Sequence, residues 1–361
     1  MEISRVPKLL RVLLLLLLLY LFFVSISLMS SSFKYFGKGF AEQLLRTTSN
    51  PFVGLFIGIL TTSLIQSSST TTSMTVALVA SGALNLQTAI PIIMGANVGT
   101  SVTNTLVALA HITHTSEFRK AFSASTVHDF FNLISILILF PLNLFSNILG
   151  WSADHLAHLF QDIGGLKFAN PLKMATKPAV HFIQELSGHS GTIMLIISII
   201  FLFISLRYIV LTLRSLIIGR VEVFFSETLF KNAGRALILG LVLTVLVQSS
   251  SITTSLAVPL ASANILTLRQ IFPFTLGANV GTTITAILAS LVTGNVIAVA
   301  TAFAHLLFNI LGILIIWPMR GVPIFLAEKL AELSVKNRLI PFLYIISVFF
   351  IIPLGLIFFL R

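Results

Sequence analysis

Residues 66–73 read Gln-Ser-Ser-Ser-Thr-Thr-Thr-Ser, and residues 248–255 read Gln-Ser-Ser-Ser-Ile-Thr-Thr-Ser. Both runs interrupt long apolar stretches, and each is followed by Gly-Ala-Asn-Val-Gly-Thr, at residues 95–100 and 277–282. The two offsets are equal, 248 − 66 = 182 and 279 − 97 = 182, and about half the positions of 61–100 match their partners in 243–282. Self-similarity this long reads as an internal duplication rather than chance likeness of apolar segments. Later landmarks, His128, Phe131, Asn132 and Pro141, return as His305, Phe308, Asn309 and Pro318 at an offset of 177, so the second copy's loop is five residues shorter (182 − 177 = 5).

Working outward, the whole chain is apolar. Of its 361 residues 56% are hydrophobic and 9% charged, with a mean hydropathy of +1.03. That charge density is about a third of what a soluble surface carries, so a water-soluble enzyme with one buried core is excluded. Apolar runs of about 20 residues fit membrane-spanning helices, whereas a β-barrel would show short alternating segments. The first run, Leu9 to Met29, follows Arg5, Lys8 and Arg11 as a signal peptide would, but it is too long and lacks a small-residue cleavage site. It reads as a retained helix with its N-terminus inside.

Twenty-two basic against 11 acidic residues give a net charge of +11. In a polytopic protein this surplus marks cytoplasmic loops, not a nucleic-acid surface. Arg119 and Lys120 follow the G-A-N-V-G-T helix of repeat 1, while the equivalent loop of repeat 2, Thr293 to Val296, is uncharged. Arg207, Arg214, Arg220, Lys231 and Arg235 read as one cytoplasmic segment, and Arg320, Lys329, Lys336 and Arg338 as another. Residues 142–188, with mixed charge, read as external. The expected fold is an all-α polytopic membrane protein of two inverted-topology repeats whose broken, re-entrant helices meet at the membrane midplane. Its expected segments are 1–48 (terminal helix and connector), 49–151 (repeat 1), 152–188 (external linker), 189–233 (linker helix and basic segment), 234–319 (repeat 2) and 320–361 (connector and last helix). Cysteines placed at residues 116 and 294 would then label from opposite sides.

Ser-Thr runs compete with the helix for backbone hydrogen bonds and favour broken helices, tolerated at membrane depth where they line a cavity. Freed amides at a half-helix N-terminus aim a positive dipole at an anion. Hydroxyls and amides with no fixed cationic side chain suit a small anion that must be released. The bland alternative is that Ser, Thr and Gly only let helices approach; duplication of the full motif argues against it for the serines. The Asn and Thr oxygens of the G-A-N-V-G-T segments, with Thr103 and Thr285, are the hard donors that Na⁺ accepts, and helix-packing glycines are the alternative there. Asp129 is the one acidic residue placed mid-span, costly unless it binds a cation with Asn132 or carries a proton. Its counterpart in repeat 2 is Leu306. With no cysteine and no HExxH pattern, disulfides, thiolate chemistry and a transition-metal site are not expected. An intramembrane Ser-His enzyme is disfavoured: the serines are duplicated, G-x-S-x-G is missing and only Asp129 stands as an orienting acid.

At these motifs the sequence resembles the type II sodium–phosphate cotransporter family, most closely its short bacterial members. The resemblance extends to Pro51–Gly58, Glu117-Phe118-Arg119-Lys120-Ala121-Phe122 and Thr126-Val127-His128-Asp129-Phe130-Phe131-Asn132. It implies Na⁺-driven symport of inorganic phosphate by alternating access, with no other cofactor, in a bacterial inner membrane with the N-terminus cytoplasmic; it leaves room for a homodimer. Phosphate would be held by Ser67, Ser68, Ser69, Ser249, Ser250 and Ser251, with Asn97 and Asn279. Gln248, Ser249, Thr282 and Thr285 match a family Na⁺ site, to which Ala278 adds only its carbonyl; Gln66, Thr100 and Thr103 are the repeat-1 counterparts. Asp129 matches the carboxylate that distinguishes electrogenic members, and Asn132 its neighbour, which implies net inward positive charge per cycle. His111 and His114 replace the Gln and Asp of mammalian members. Mammalian members also carry a long disulfide-bearing external loop and a longer C-terminal tail. Another tetrahedral oxyanion, such as sulfate or arsenate, or H⁺ as the coupling ion, keeps the same fold.

Overall fold

Lys8–Tyr35 (α1) forms one helix through a run of leucines that leaves every backbone group paired within the segment, as a bilayer requires. A computed structural model of the chain describes residues 7–217, 230 and 232–360, and among them there is no strand. After α1 come Gly37–Thr47 (α2), Pro51–Ile65 (α3), Ser68–Ser81 (α4), Leu86–Thr100 (α5), Val102–Leu109 (α6), Thr115–Ser146 (α7), Ile148–Asp162 (α8), Gly165–Leu186 (α9) and Gly191–Ile217 (α10). The second half holds Ala233–Val247 (α11), Ser250–Ser262 (α12), Leu268–Thr293 (α13), Val296–Ile316 (α14), Gly321–Lys336 (α15), Ile340–Ile346 (α16) and, after a π-helical turn, Ile352–Leu360 (α17). Seven helices among the described residues are long and apolar enough to cross a membrane. The protein is a multi-pass membrane protein.

The duplication is visible in the backbone. α3 and α4 are 15 and 14 residues long, α11 and α12 are 15 and 13, each shorter than a span needs. Both pairs break at the glutamine. Gln66 (φ 58°, ψ 29°) and Gln248 (φ 55°, ψ 27°) occupy the left-handed region, which reverses the chain, and the serine after each is extended and caps the next helix. A non-glycine residue there costs on the order of 1–3 kcal/mol. Glycine would relieve that strain at both places, yet both copies keep the carboxamide.

Close helix approach is made by the glycines of the G-A-N-V-G-T segments. α5 lies so near α3 that a Cβ on Gly95 would overlap the Leu55 carbonyl, and one on Gly58 the Ile92 carbonyl. α13 packs on α11 in the same way, Gly277 against Leu237 and Gly240 against Phe274. Packing is therefore what these glycines do, the alternative that the sequence left open.

Residues 152–188, read as an external linker, fall largely in α8 and α9, with Leu149, Ala153 and Ala157 of α8 buried in the core against α14. α9 packs on α1 and α13, and Lys173 reaches the Gly294 turn. Mixed charge in this stretch concealed its amphipathic faces. Of the basic segment around 207–235, Arg220, Lys231 and the side chain of Arg214 lie outside the described residues; Arg207 lies inside α10, where the apolar run continues through Tyr208 and Ile209.

Candidate functional site

The two Q-S-S-S turns, 182 residues apart in sequence, line one open cavity of about 500 Å³. Its walls include Gln66, Ser67, Ser68, Ser69 and Thr103 from repeat 1, and Gln248, Ser249, Ser250 and Ser251 from repeat 2. Ser67 Oγ caps α4, accepting from Thr70 N at 3.2 Å, and Ser249 Oγ caps α12 through Ile252 N at 3.4 Å. The next serines open the helices, so their amides are among the first-turn donors that have no partner within the helix. Two positive helix ends thus face one space, with hydroxyls between them. Among the described residues no acidic side chain lines the cavity, and one cation does: Arg207 of α10. The serine runs themselves carry no cationic side chain, as read from the sequence, and Arg207 joins them from a helix outside both runs.

The glutamines are treated unequally. Gln248 Oε1 accepts from Thr285 Oγ1 at 2.8 Å and its Nε2 donates to Val245 O at 2.7 Å. In repeat 1, Thr103 Oγ1 is buried without a partner, and Gln66 is exposed to the cavity. Thr100 and Thr282, one turn before those threonines, do not line the cavity; each donates back to its own helix, to Ala96 O at 2.9 Å and Ala278 O at 3.1 Å. The Ala278 carbonyl is therefore already engaged by Thr282.

Asn97, Asn132 and Asn279 also lie off the cavity. With Asn309 and His305 they form a fully buried knot at the junction of the repeats. Asn279 Nδ2 donates to Asn132 Oδ1 (3.0 Å) and Asn309 Oδ1 (2.9 Å), Asn132 Nδ2 donates to Asn97 O (3.0 Å), and His305 Nε2 lies 3.1 Å from Asn97 Oδ1. These carboxamides satisfy one another, as buried polar groups must. Asn309 and His305 were not expected in the site, although their repeat relation to Asn132 and His128 was the signal. Asn104 adds a second tie between the halves, donating to Thr254 Oγ1 at 2.8 Å and accepting from Ser255 Oγ at 2.9 Å.

Asp129 is fully buried in α7 and does not share a partner with Asn132. Its Oδ2 accepts from Tyr344 Oη of α16 at 2.9 Å, Ser101 lies beside it, and Oδ1 has no hydrogen-bond partner. Sequence reasoning missed Tyr344, whose signal is a single tyrosine in the last apolar run. His111 and His114 are solvent-accessible rather than buried beside Asp129; His111 Nδ1 lies 3.2 Å from Ser262 Oγ and 3.5 Å from Glu117. Na⁺ accepts hydroxyl, carboxamide and carboxylate oxygens, and the open Asp129 oxygen and the Thr103 hydroxyl are among the buried unpartnered oxygens, which also include those of Ser73, Thr244 and Ser334.

A family profile described as Na⁺/Pi-cotransporter matches residues 21–169 and 200–322, which takes in both serine turns, the asparagine knot and Asp129. The chain belongs to the Na⁺/Pi-cotransporter family. Similar proteins include sodium-dependent phosphate transport protein 2B of Pongo abelii and of Homo sapiens, each 33% identical over 95% of this chain and 64% of the relative. Sodium-dependent phosphate transport protein 2A of Rattus norvegicus is 33% identical over 96% of this chain and 67% of its own length. The chain thus spans a little under two thirds of the 2B relatives. No solved structure matches significantly.

Proposed function

We propose that this protein is a secondary-active symporter that imports inorganic phosphate with Na⁺ by alternating access. The observation that carries the reading is the single cavity lined by both Q-S-S-S turns with no acidic side chain among the described residues. Phosphate binds there through the hydroxyls and first-turn amides of Ser67–Ser69 and Ser249–Ser251, and the names of the relatives favour phosphate over another oxyanion. Asn97 and Asn279 act one layer behind, holding the halves together rather than touching the anion. Na⁺ takes the Gln248, Ser249, Thr285 corner and its repeat-1 counterpart at Gln66 and Thr103, with Thr282, Thr100 and Ala278 shaping the helix beneath. A second cation uses the open oxygen of Asp129, which makes each cycle carry net positive charge inward. Asp129→Asn is expected to abolish the phosphate-evoked current; equal currents in variant and parent would defeat that claim.

Two repeats, residues 49–151 and 234–319, oriented oppositely in the membrane, would supply the alternation. Support comes from which loops meet. Arg119 pairs with Glu332 at 3.0 Å and Arg338 donates to Thr115 at 2.9 Å, joining the basic loop of repeat 1 to the basic connector. The matching loop of repeat 2 instead meets α9 at Gly294 and Lys173. On this reading the basic ends face the cytoplasm of a bacterial inner membrane, with the N-terminus on that side. Ligands move the equilibrium between facing states only through different affinities for them, so coupling requires Na⁺ and phosphate to favour the occluded form together.

The deciding experiment is radiolabelled phosphate uptake by the purified protein in liposomes, under an inward Na⁺ gradient and an equal K⁺ gradient. Uptake is expected with Na⁺ only, and it should fall by at least about 100-fold in Ser68→Ala/Ser250→Ala, equivalent to about 2.7 kcal/mol of lost anion binding. Folded protein that takes up no phosphate under Na⁺ would overturn the reading.

A further inference from the structure

The cavity between the serine turns has one wall that belongs to neither repeat. It is built by α10, the helix that joins the two halves, through Phe203, Ile204, Arg207 and Tyr208 among others. Three of these are apolar or aromatic, as expected of a helix whose stretch Gly191–Ile209 can itself span a membrane. Arg207 is out of place in that company. Duplication does not account for it, because α10 lies between the repeats, and neither did the motifs that identified the serines.

A guanidinium near the end of an apolar span, as Arg207 is in Gly191–Ile209, ordinarily extends toward lipid headgroups. Two observations set Arg207 apart. Its side chain lines the same cavity as all six motif serines, and among the described residues it has no carboxylate, hydrogen-bond or ion-pair partner. An arginine within an apolar span usually pairs with something or marks the path of a charged solute, and Arg207 falls in the last turn of such a span. Among the described residues no carboxylate pairs with it, and no acidic residue lines the cavity to cancel its charge. Meanwhile the serine turns bring only neutral hydroxyls and partial charges.

We propose that Arg207 is a substrate-binding residue, which pairs directly with the doubly charged tetrahedral anion while the two serine turns hold its remaining oxygens. The inference rests on reading the cavity as the phosphate site and goes beyond it by adding a contact from outside the duplicated halves. Its planar fork of N–H donors matches two oxygens of one phosphate, which a single ammonium cannot do. One full charge among neutral donors adds attraction for the anion while the remaining contacts stay individually weak. Because α10 stands outside both repeats, the arginine meets the anion from a third direction and closes the donor set that the two helix ends leave open.

The test compares the parent, R207K and R207Q as full-length proteins in liposomes, with Na⁺-driven phosphate uptake measured across phosphate concentrations and melting temperatures recorded in detergent. R207Q is expected to raise the KM for phosphate about tenfold while changing the maximal rate less than about twofold. R207K, which keeps the charge and loses the fork, should fall between, at about threefold. A purely structural arginine would lower the melting temperature and the maximal rate of both variants and leave KM alone, and that result overturns the proposal. If R207Q does not fold, R207K decides alone: an unchanged KM overturns it. Parent protein that transports phosphate beside variants of unchanged KM removes Arg207 from the site and leaves the symporter standing. Parent protein that transports none removes both.

Discussion

Gln66 and Gln248 show how a residue's cost can locate its role. Each sits in a left-handed conformation that glycine would adopt without strain, and each keeps a side chain that lines the cavity. Gln248→Gly exchanges that strain, on the order of 1–3 kcal/mol, for two hydrogen bonds worth about 1 kcal/mol each. Stability should therefore change little, with the melting temperature near the parent's. The Na⁺ concentration for half-maximal phosphate uptake should nonetheless rise about tenfold, a loss of about 1.4 kcal/mol. A variant that melts normally and keeps its Na⁺ dependence would show that the carboxamide has no part in cation binding. At this scale the sequence was most legible where chemistry is doubled: the serines, glutamines and Thr103 stand where the motifs pointed. It was least legible where oxygens are consumed by one another, as in Asn97, Asn132 and Asn279. Residue type announces a donor, and only the fold tells whether that donor is already spent.

Helix pairs, rather than single helices, are the units of this fold. α3 with α5 and α11 with α13 approach closely enough that their backbones meet at glycine, and in lipid such contact replaces the hydrophobic effect as the attraction between helices. A methyl group at Gly277 would overlap the Leu237 carbonyl, backbone that cannot swing aside as a side chain can. Gly277→Ala should cost about 1–3 kcal/mol, and Gly95→Ala as much, read as a lowered melting temperature in detergent. Gly321, whose added Cβ would meet nothing within 4 Å, is the control and should melt like the parent when changed to alanine. Element positions were readable from hydropathy for α1, α7 and α14. They were hidden for α8 and α9, because helices lying against a core with one charged face give no apolar run to count.

For the whole molecule, the arrangement of the halves is the property to test. Opposite orientation predicts that an introduced Ser116→Cys reacts with impermeant thiol reagent from one side of a sealed vesicle and Thr293→Cys from the other. Thr293 is the better position than its neighbour, since Gly294 has a φ of +60° and an added Cβ there would crowd Lys173. With no native cysteine to remove, each substitution reports alone. Labelling of both from the same side would refute the inverted arrangement while leaving the cavity intact.

Tyr344 bears on that same scale. A carrier made of two equal halves has facing states of equal energy, since exchanging the roles of the halves turns one state into the other. The bond from Tyr344 to Asp129 breaks this degeneracy: α16 lies outside the duplication, and the matching place in repeat 2 is Leu306, which can accept nothing. On the proposed reading, the empty protein favours the arrangement that keeps the tyrosine on Oδ2, and a cation at the open Oδ1 draws charge from the carboxylate and weakens that bond. On that reading the empty protein is biased like a sprung door, and a cation at the carboxylate loosens the latch.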